Sequence, residues 1–295
     1  MTNTRCADDI LLYAKSAAEL QMMVESLFAE LRLIGLDANP SKTKILTTDD
    51  QYSNAPSFID IDGDFVDVVQ SNASHKYLGR MINLSMNQRV NIELAFRKKC
   101  AWSSFHTHRR TLLNHDISLA LRLKLFDSVV SPAALFCLHV LPLNKSQLTS
   151  LGACQRRMLR SICGWRRIDG EDWEDTMRRM KQRVQVGMML HYVMSWEERL
   201  HRALWSYTRY LTQCKQTSPW CTMIRWQPDA MHDASLTQRP RRTPGRPRKR
   251  WDDDVKHFLQ AKFESTSNWL DLACVHYGSL HNCEDEFVVW MMADT

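Results

Sequence analysis

The spacing of apolar residues changes near residue 86, and this change limits the folds open to the chain. Before it, short apolar runs alternate with turn residues, as in strands and hairpins. After it, apolar residues recur at intervals of three and four, as in helices. Because the strands and the long helices occupy separate blocks, the pattern predicts an α+β fold. Hydrophobic residues make up 44% of the 295, enough for a folded core.

The first part of the chain combines a strand with a well-marked helix. The apolar run that begins at Ile10 predicts a short strand. Ser16 and Glu19 then form a capping-box pattern, and apolar residues follow at helical spacing. Gly35 stands where a glycine lets the chain leave a helix. These signals predict a helix over about 17–34.

A strand and a hairpin follow. Lys44–Leu46 can form a strand, while residues 58–61 and 65–68 are apolar runs on either side of Asp62-Gly63-Asp64, a strong turn signal. The first 85 residues therefore read as strand, helix, strand and hairpin.

The rest of the chain is predicted to be helical, over 91–105, over 117–130 and along a tract from 148 to 213 that is interrupted near Gly164 and Gly170. A Pro-, Gly- and Arg-rich stretch cannot pack a core, and a short amphipathic helix starts near Asp252. The predicted domains are a partial α+β domain at 1–85, a helical region at 86–237, a basic linker at 238–250 and a small helical region at 251–295.

Positive charge is concentrated in the middle of the chain. Residues 81–236 carry 23 basic and 12 acidic side chains, whereas residues 1–80 carry 7 and 12, and residues 237–295 carry 9 and 9. A polyanion is the obvious partner for such a segment, because cations that neutralise phosphates release counterions. The charge thus favours nucleic acid over the alternative of a solvated helical surface.

Two basic segments are candidate nucleic-acid contacts. The first interleaves cations with aromatic residues such as Trp102 and His106, and its alternative is an ordinary amphipathic helix. The second is an arginine-rich arm, and its alternative is a linker or a localisation signal. The candidate residues are Arg97, Lys98, Lys99, Arg109 and Arg110 in the first segment, and Arg246, Arg248, Lys249 and Arg250 in the second.

Several classes of protein find no support in the sequence. The start of the chain lacks the apolar run of a signal peptide, and no stretch reaches the roughly 18 apolar residues of a membrane span. We therefore expect an intracellular protein without a membrane partner. The nine cysteines include no CxxC pair, which favours reduced thiols. Walker-type loops, GxSxG and HExxH are absent, so NTPase, hydrolase and zincin functions are unsupported.

Three segments in order carry the chemical signal: Cys6-Ala7-Asp8-Asp9, the stretch from Gly35 to Lys44 (GLDANPSKTK), and His75-Lys76-Tyr77-Leu78-Gly79. Together they resemble the ADD box, the GLxxNxxKT segment and the YLG primer-grip segment of reverse transcriptases of non-LTR (LINE-type) retrotransposons. The stretch Gly245-Arg246-Pro247 through Arg250-Trp251-Asp252 resembles a GRPxxRWxDD segment found toward the C-termini of many such elements.

The resemblance implies an RNA-directed DNA polymerase that transfers nucleotides with two Mg²⁺ ions held by carboxylates. Asp8 would bind the metal with Asp9 beside it in the same box, and Lys42 would approach the triphosphate of a dNTP. Tyr77, Leu78 and Gly79 would grip the end of the DNA primer.

The implied architecture is the last part of a polymerase palm followed by a helical thumb and a C-terminal extension. The implied partners are an RNA template and a DNA primer, with the nucleus as the location. The family's site also uses an Asp from an earlier palm strand, and that strand and the fingers would precede Met1. We therefore expect the chain to be inactive alone. The alternative is a non-catalytic nucleic-acid-binding remnant that acts through basic helices and the arginine arm.

Overall fold

A computed structural model describes residues 3–47, 58–61, 63–69, 73–83, 85, 88–214 and 249–293. The chain is α+β, as the apolar pattern predicts. It divides into two compact units, an N-terminal unit at Met1–Phe96 and a helical unit at Arg97–Thr295. The predicted domain boundaries differ from this division and stay predictions.

The N-terminal unit contains three small sheets and a helix. In the first sheet β1 and β2 are antiparallel, in the second β3 is parallel and β4 antiparallel to β5, and in the third β6 and β7 are antiparallel. The elements are β1 (Asn3–Cys6), β2 (Asp9–Leu12), α1 (Ala17–Leu33), β3 (Lys44–Leu46), β4 (Phe58–Ile61), β5 (Asp64–Val69), β6 (His75–Tyr77) and β7 (Arg80–Ile82).

The ends of α1 show why its sequence forms a helix. The Ser16 hydroxyl accepts a hydrogen bond from the backbone N–H of Glu19 at 3.2 Å. The Glu19 carboxylate accepts from the N–H of Lys15 at 2.8 Å instead of completing the box with Ser16. At the other end Gly35 has φ +78°, and Leu36 donates its N–H to the Leu31 carbonyl at 2.9 Å. This is the Schellman arrangement that the glycine favours.

The predicted strands at Ile10 and at Lys44–Leu46, and the hairpin of β4 and β5, are confirmed, although Asp62 lies outside the described residues. Strand β1 is not predicted, because Asn3, Thr4 and Arg5 are polar. The core of the unit is small: Val24, Phe28 and Val66 are buried together.

The helical unit begins within the second helix and contains only helices and turns in its described part. Its helices are α2 (Arg89–Thr107), α3 (Arg109–Leu112), α4 (Leu119–Leu125), α5 (Ser131–Leu135), α6 (Lys145–Ile162), α7 (Trp173–Leu190), α8 (Trp196–Gln213), α9 (Asp253–Lys262), α10 (Trp269–Val275), α11 (Tyr277–Leu280) and α12 (Glu284–Ala293).

Helix α2 and helices α6 to α8 confirm predicted segments, and α4 together with a π-helical turn at Phe126–Val130 covers the predicted 117–130. The short helices α3 and α5 are not predicted.

The predicted interruption near Gly164 and Gly170 separates α6 from α7. A second interruption separates α7 from α8 at 191–195, where Tyr192 has φ +54°. Neither Gly nor Pro occurs at 191–195. The signal that marks the start of α8 is the capping residue Ser195, whose hydroxyl accepts from the Glu198 N–H at 3.0 Å.

The C-terminal helices α9, α10 and α12 share one core with α8. Trp205 of α8 is fully buried, stacks on Phe287 with ring centroids 4.8 Å apart, and donates its indole N–H to the Leu280 carbonyl at 3.1 Å. Trp269 donates to the buried Asp252 carboxylate at 2.8 Å. The helix predicted near Asp252 is therefore confirmed, and it packs as part of the helical unit.

Within the described residues, Leu119–Val140 is long and apolar enough to cross a bilayer by length and composition, with a mean hydropathy of 1.4 over its best window. The charged residues Arg122, Lys124 and Asp127 interrupt the apolar run of this segment. Buried residues of the segment, such as Leu123 and Phe126, belong to the core of the helical unit. A core helix passes the same test of composition.

Candidate active site and nucleic-acid surface

The acidic pair lies at the tip of the β1–β2 hairpin. Cys6 pairs with Asp9, so Ala7 and Asp8 form the turn, and Asp9 begins β2. Ala7 has φ +54°, a left-handed conformation that costs a non-glycine residue free energy. Asp8 and Asp9 are both exposed. The two carboxylates thus stand in solvent at the end of a narrow hairpin.

The β6–β7 hairpin carries the predicted primer-grip residues at its tip. Tyr77 pairs with Arg80, and Leu78 and Gly79 form a two-residue turn with φ +47° and +78°. Positive φ at both positions is typical of a type I′ turn. Gly79 adopts it without steric cost, whereas Leu78 does so with strain and leaves its apolar side chain 44% exposed.

Polar contacts hold this hairpin in place within the N-terminal unit. The buried Glu93 carboxylate, in the part of α2 that belongs to this unit, accepts from the backbone N–H of Met81 at 2.6 Å. Buried Asn83 donates its side-chain amide to the Ala73 carbonyl at 2.8 Å. The Lys76 ammonium lies 6.0 Å from the centre of the Phe96 ring. The hairpin therefore depends on a few polar anchors.

Tyr77 lies near the acidic β1–β2 hairpin. Burial, with a smaller contribution from the nearby Asp9 carboxylate, raises the pKa of the Tyr77 phenol, and the nearby Thr4 hydroxyl of β1 opposes this rise. The Thr4 hydroxyl also lies 3.5 Å from the Tyr13 phenol. Two predicted site segments that are about 70 residues apart in the sequence are thus neighbours in the fold.

The same hairpin also approaches the second sheet. Burial, followed by the charge of Lys44 in β3, lowers the pKa of His75 in β6. Lys44 forms an ion pair with Asp67 of β5. The β6–β7 hairpin therefore lies near both the first and the second sheet of the N-terminal unit.

Lys42 sits in a turn built on Asn39. The Asn39 side-chain oxygen accepts from the Ser41 hydroxyl at 2.7 Å and from the Lys42 backbone N–H at 3.2 Å. The Lys42 side chain is exposed. For the described residues, the structure gives no contact that joins Lys42 to Asp8 or Asp9.

The surroundings of the two carboxylates decide whether they can hold a metal. No group of three His, Cys, Asp or Glu side chains that could hold a metal ion occurs within the described residues. Mg²⁺ prefers six oxygen ligands, and the tip of the hairpin offers only the two adjacent carboxylates of Asp8 and Asp9. The described residues therefore do not by themselves fit a two-metal site.

The first predicted basic segment divides into buried and exposed cations. Arg97 is only 5% exposed, and its guanidinium lies 5.0 Å from the centre of the Phe136 ring, so it offers little surface to a phosphate. Lys98 donates to the Ser150 hydroxyl of α6. Lys99, Arg109 and Arg110 are exposed.

The described end of the arginine arm is held by internal contacts, while Arg246 and Arg248 lie outside the described residues. Lys249 donates to the Leu143 carbonyl at 3.1 Å and forms an ion pair with Asp254 at 2.7 Å. Arg250 forms an ion pair with the buried Asp252 at 3.2 Å. Lys249 thus joins the start of α9 to the rest of the helical unit, whereas the contacts of Arg250 are local.

The structure also shows notable contacts or burial at residues that the sequence patterns do not identify. Thr4 is one, since its contact with Tyr77 depends on the unpredicted strand β1. His201 of α8 is another: it is 4% exposed, its Nε2 has no hydrogen-bond partner, and burial lowers its pKa to about 4 near Asp254 and Lys249. Arg157 and Arg160 of α6 could have been found from their shared helical spacing.

One curated relative gives an independent indication of origin. The chain is 30% identical over 151 residues to an uncharacterized transposon-derived protein of Caenorhabditis elegans, a match that covers 50% of each. The chain thus spans about half the length of this relative. No known protein-family profile matches the chain, and no solved structure matches it. The similarity suggests a transposon-derived origin.

Proposed function

We propose that this chain supplies the carboxylate hairpin, the primer grip and the thumb of an RNA-directed DNA polymerase of the non-LTR retrotransposon type. The observation that carries the proposal is the proximity of the Tyr77 phenol to Thr4 and Asp9 of the acidic hairpin. The carboxylate hairpin and the Tyr77 hairpin, both of which such an enzyme needs at the primer end, therefore lie close together. The similarity to a transposon-derived protein supports the same origin.

The roles follow from the shapes of the two hairpins. The strained Leu78-Gly79 turn would contact the terminal nucleotide of the primer, and Asp8 would contribute a carboxylate to a Mg²⁺ site beside it. In a complete enzyme the metal would stabilise charge on the transferred phosphate, and a further carboxylate would be needed to hold it. Exposed Lys42 could offset charge on the triphosphate of a dNTP.

The alternative is a nucleic-acid-binding protein without catalytic function. It is favoured by the exposed cations Lys99, Arg109 and Arg110 of the helical unit. Under this alternative the acidic hairpin plays no part in binding. The two functions therefore differ in where the primer terminus lies.

Crosslinking of the primer terminus separates the two functions without requiring activity. A DNA primer that ends in 4-thiothymidine is annealed to an RNA template, bound to the full chain and irradiated, and the attached peptides are identified by mass spectrometry. We expect crosslinks within 75–82 and 3–13. A matched primer with the same base about ten nucleotides from its end should crosslink to the helical unit instead.

The variant Tyr77→Ala should reduce terminal crosslinking several-fold, while Tyr210→Ala, which removes an exposed tyrosine from the helical unit, should not. Terminal crosslinks confined to 97–295 would contradict the polymerase proposal and support the alternative.

A further inference from the structure

Three arginines crowd two turns of α6. Burial, and then the charges of Arg156 and Arg157, lower the pKa of Arg160. Arg156 is partly compensated, because it lies 3.7 Å from the Glu197 carboxylate. Arg157 and Arg160 form no ion pair with any described residue. This part of α6 therefore concentrates positive charge that the described structure leaves without a counter-ion.

Helix α2 lies alongside and adds aromatic rings to this charge. The Arg157 guanidinium lies 5.7 Å from the centre of the Trp102 ring, and Trp102 in turn stacks on exposed His106 at 5.7 Å. Lys98, one turn earlier on α2, reaches Ser150 of α6. Burial raises the pKa of the Cys154 thiol, and the positive charges of Lys98 and Arg157 both oppose this rise. Both cations therefore lie near Cys154. The cations of the two helices thus face one shared surface.

We propose that Lys98, Trp102, His106, Arg157 and Arg160, here called the α2–α6 surface, bind the sugar–phosphate backbone of a nucleic acid. Clustered cations repel one another, and a polyanion relieves this repulsion while releasing its own counterions. Trp102 holds the Arg157 guanidinium in one orientation, so less side-chain freedom is lost when a phosphate binds. Cations interleaved with aromatic rings are also typical of surfaces that follow a nucleic-acid strand.

This surface deepens the proposed function, and it rests on it insofar as the strand belongs to a primer–template. It uses residues of α6 that are distinct from both hairpins. A nucleic acid could bind here as a single strand or as a duplex, and the chemistry of the backbone is common to both. The test therefore includes both forms.

The test is the salt dependence of binding of the full chain, measured by fluorescence anisotropy. The probes are a labelled single-stranded DNA of about 16 nucleotides, and duplexes of the same length. The variant carries Arg157→Gln with Arg160→Gln. The matched control carries Lys181→Gln with Lys256→Gln, which removes the same charge from exposed positions on α7 and α9.

We expect the α6 variant to lose about tenfold in affinity near 0.1 M salt, and its slope of log affinity against log salt to fall by about 1.5. The control should change affinity less than about twofold. The paired variant Arg157→Lys with Arg160→Lys keeps the charge and should retain most of the slope, which separates binding from any effect on folding. The probe that loses more affinity identifies the bound form.

Equal losses in the α6 variant and the control would overturn the proposal. Vesicles of phosphatidylcholine and phosphatidylserine serve as a second anionic probe, and a loss of affinity for these vesicles without a loss for DNA would also overturn it. The terminal crosslinks of the previous test do not involve α6. Crosslinks to the hairpins with no effect of the α6 variant would overturn this inference alone. An effect of the α6 variant without hairpin crosslinks would overturn the polymerase proposal alone.

Discussion

The N-terminal unit and the helical unit are stabilised in different ways. Among the described residues of the N-terminal unit, the buried side chains Val24 and Phe28 of α1 and Val66 of β5 form one apolar cluster. In the helical unit one cluster alone joins thirteen buried residues around Trp205. Apolar burial contributes roughly 1.5–3 kcal/mol for a large side chain, so the helical unit has the larger hydrophobic contribution.

The candidate site lies on the less well packed of the two units. Its hairpins are held by polar contacts such as Met81 to Glu93, and two of its turn residues, Ala7 and Leu78, are strained. Low local stability and strain are common where a segment must contact a ligand. The candidate site and the larger apolar core thus lie in different units of the chain.

The largest effect is expected in the core of the helical unit. Trp205→Ala should lower the free energy of unfolding by about 4 kcal/mol, because it removes a fully buried ring and its hydrogen bond to Leu280. Urea denaturation followed by circular dichroism measures the loss. Tyr210→Ala, at a side chain that is 62% exposed, should cost less than about 0.5 kcal/mol. A loss below about 1 kcal/mol for Trp205→Ala would show that this core is loosely packed.

Acid should weaken the helical unit through His201. Its pKa is about 4 in the folded protein, against 6.5 for a histidine side chain free in water, so the unfolded chain binds the proton first as pH falls. The contribution of this residue is fully present above about pH 6.5, and roughly 3 kcal/mol is lost by pH 4. Urea denaturation across this range measures it.

The control for His201 is His201→Leu, which cannot titrate. This variant should lack that part of the acid loss, while carboxylates elsewhere affect both proteins alike. The same acid loss in both proteins would show that the buried Nε2 does not control the pH dependence.

The N-terminal unit should instead respond to loss of a polar anchor. Glu93→Ala leaves the Met81 N–H without its acceptor, which should cost about 2 kcal/mol and loosen the β6–β7 hairpin. Hydrogen exchange read by mass spectrometry should show faster exchange at 75–82 and little change in α8. Glu30→Ala, at an exposed carboxylate of α1, is the control. Uniformly faster exchange would mean that the hairpin is not a separate local unit.

Much of the fold could be predicted because its signals are local. The capping residue Ser16, the glycine at 35 and the Asp62-Gly63 turn each act on neighbouring backbone, so the sequence reveals α1 and the β4–β5 hairpin. Strand β1 was not predicted, because its residues are mostly polar and show no alternation of apolar and polar side chains. The turn at Tyr192 was not predicted because it contains neither Gly nor Pro, although the capping residue Ser195 marks the start of α8.

The candidate site could be predicted only in part, since spacing along the chain does not give distance in space. The motifs identify Asp9 and Tyr77, but their proximity through Thr4 depends on how two hairpins pack. The sequence also could not predict that Arg97 packs on Phe136 or that Lys249 pairs with Asp254. Composition shows where charges occur but not which groups they contact.

The smallest effect, at Leu78, is the most informative about the site. Leu78→Gly should leave the protein roughly 0.5 kcal/mol more stable, because about 1–2 kcal/mol of left-handed strain is relieved against about 0.5–1 kcal/mol of added chain entropy in the unfolded state. Leu36→Gly, at an exposed leucine without positive φ, should destabilise by the entropy alone.

Thermal denaturation compares the two glycine variants, and the terminal crosslink reports on primer contact. If Leu78 is kept strained in order to touch the primer, the stabilised variant should crosslink less than the parent. Stability gained with crosslinking unchanged would show that the strain has no part in primer contact. Stability lost would mean that packing of the leucine outweighs its backbone strain.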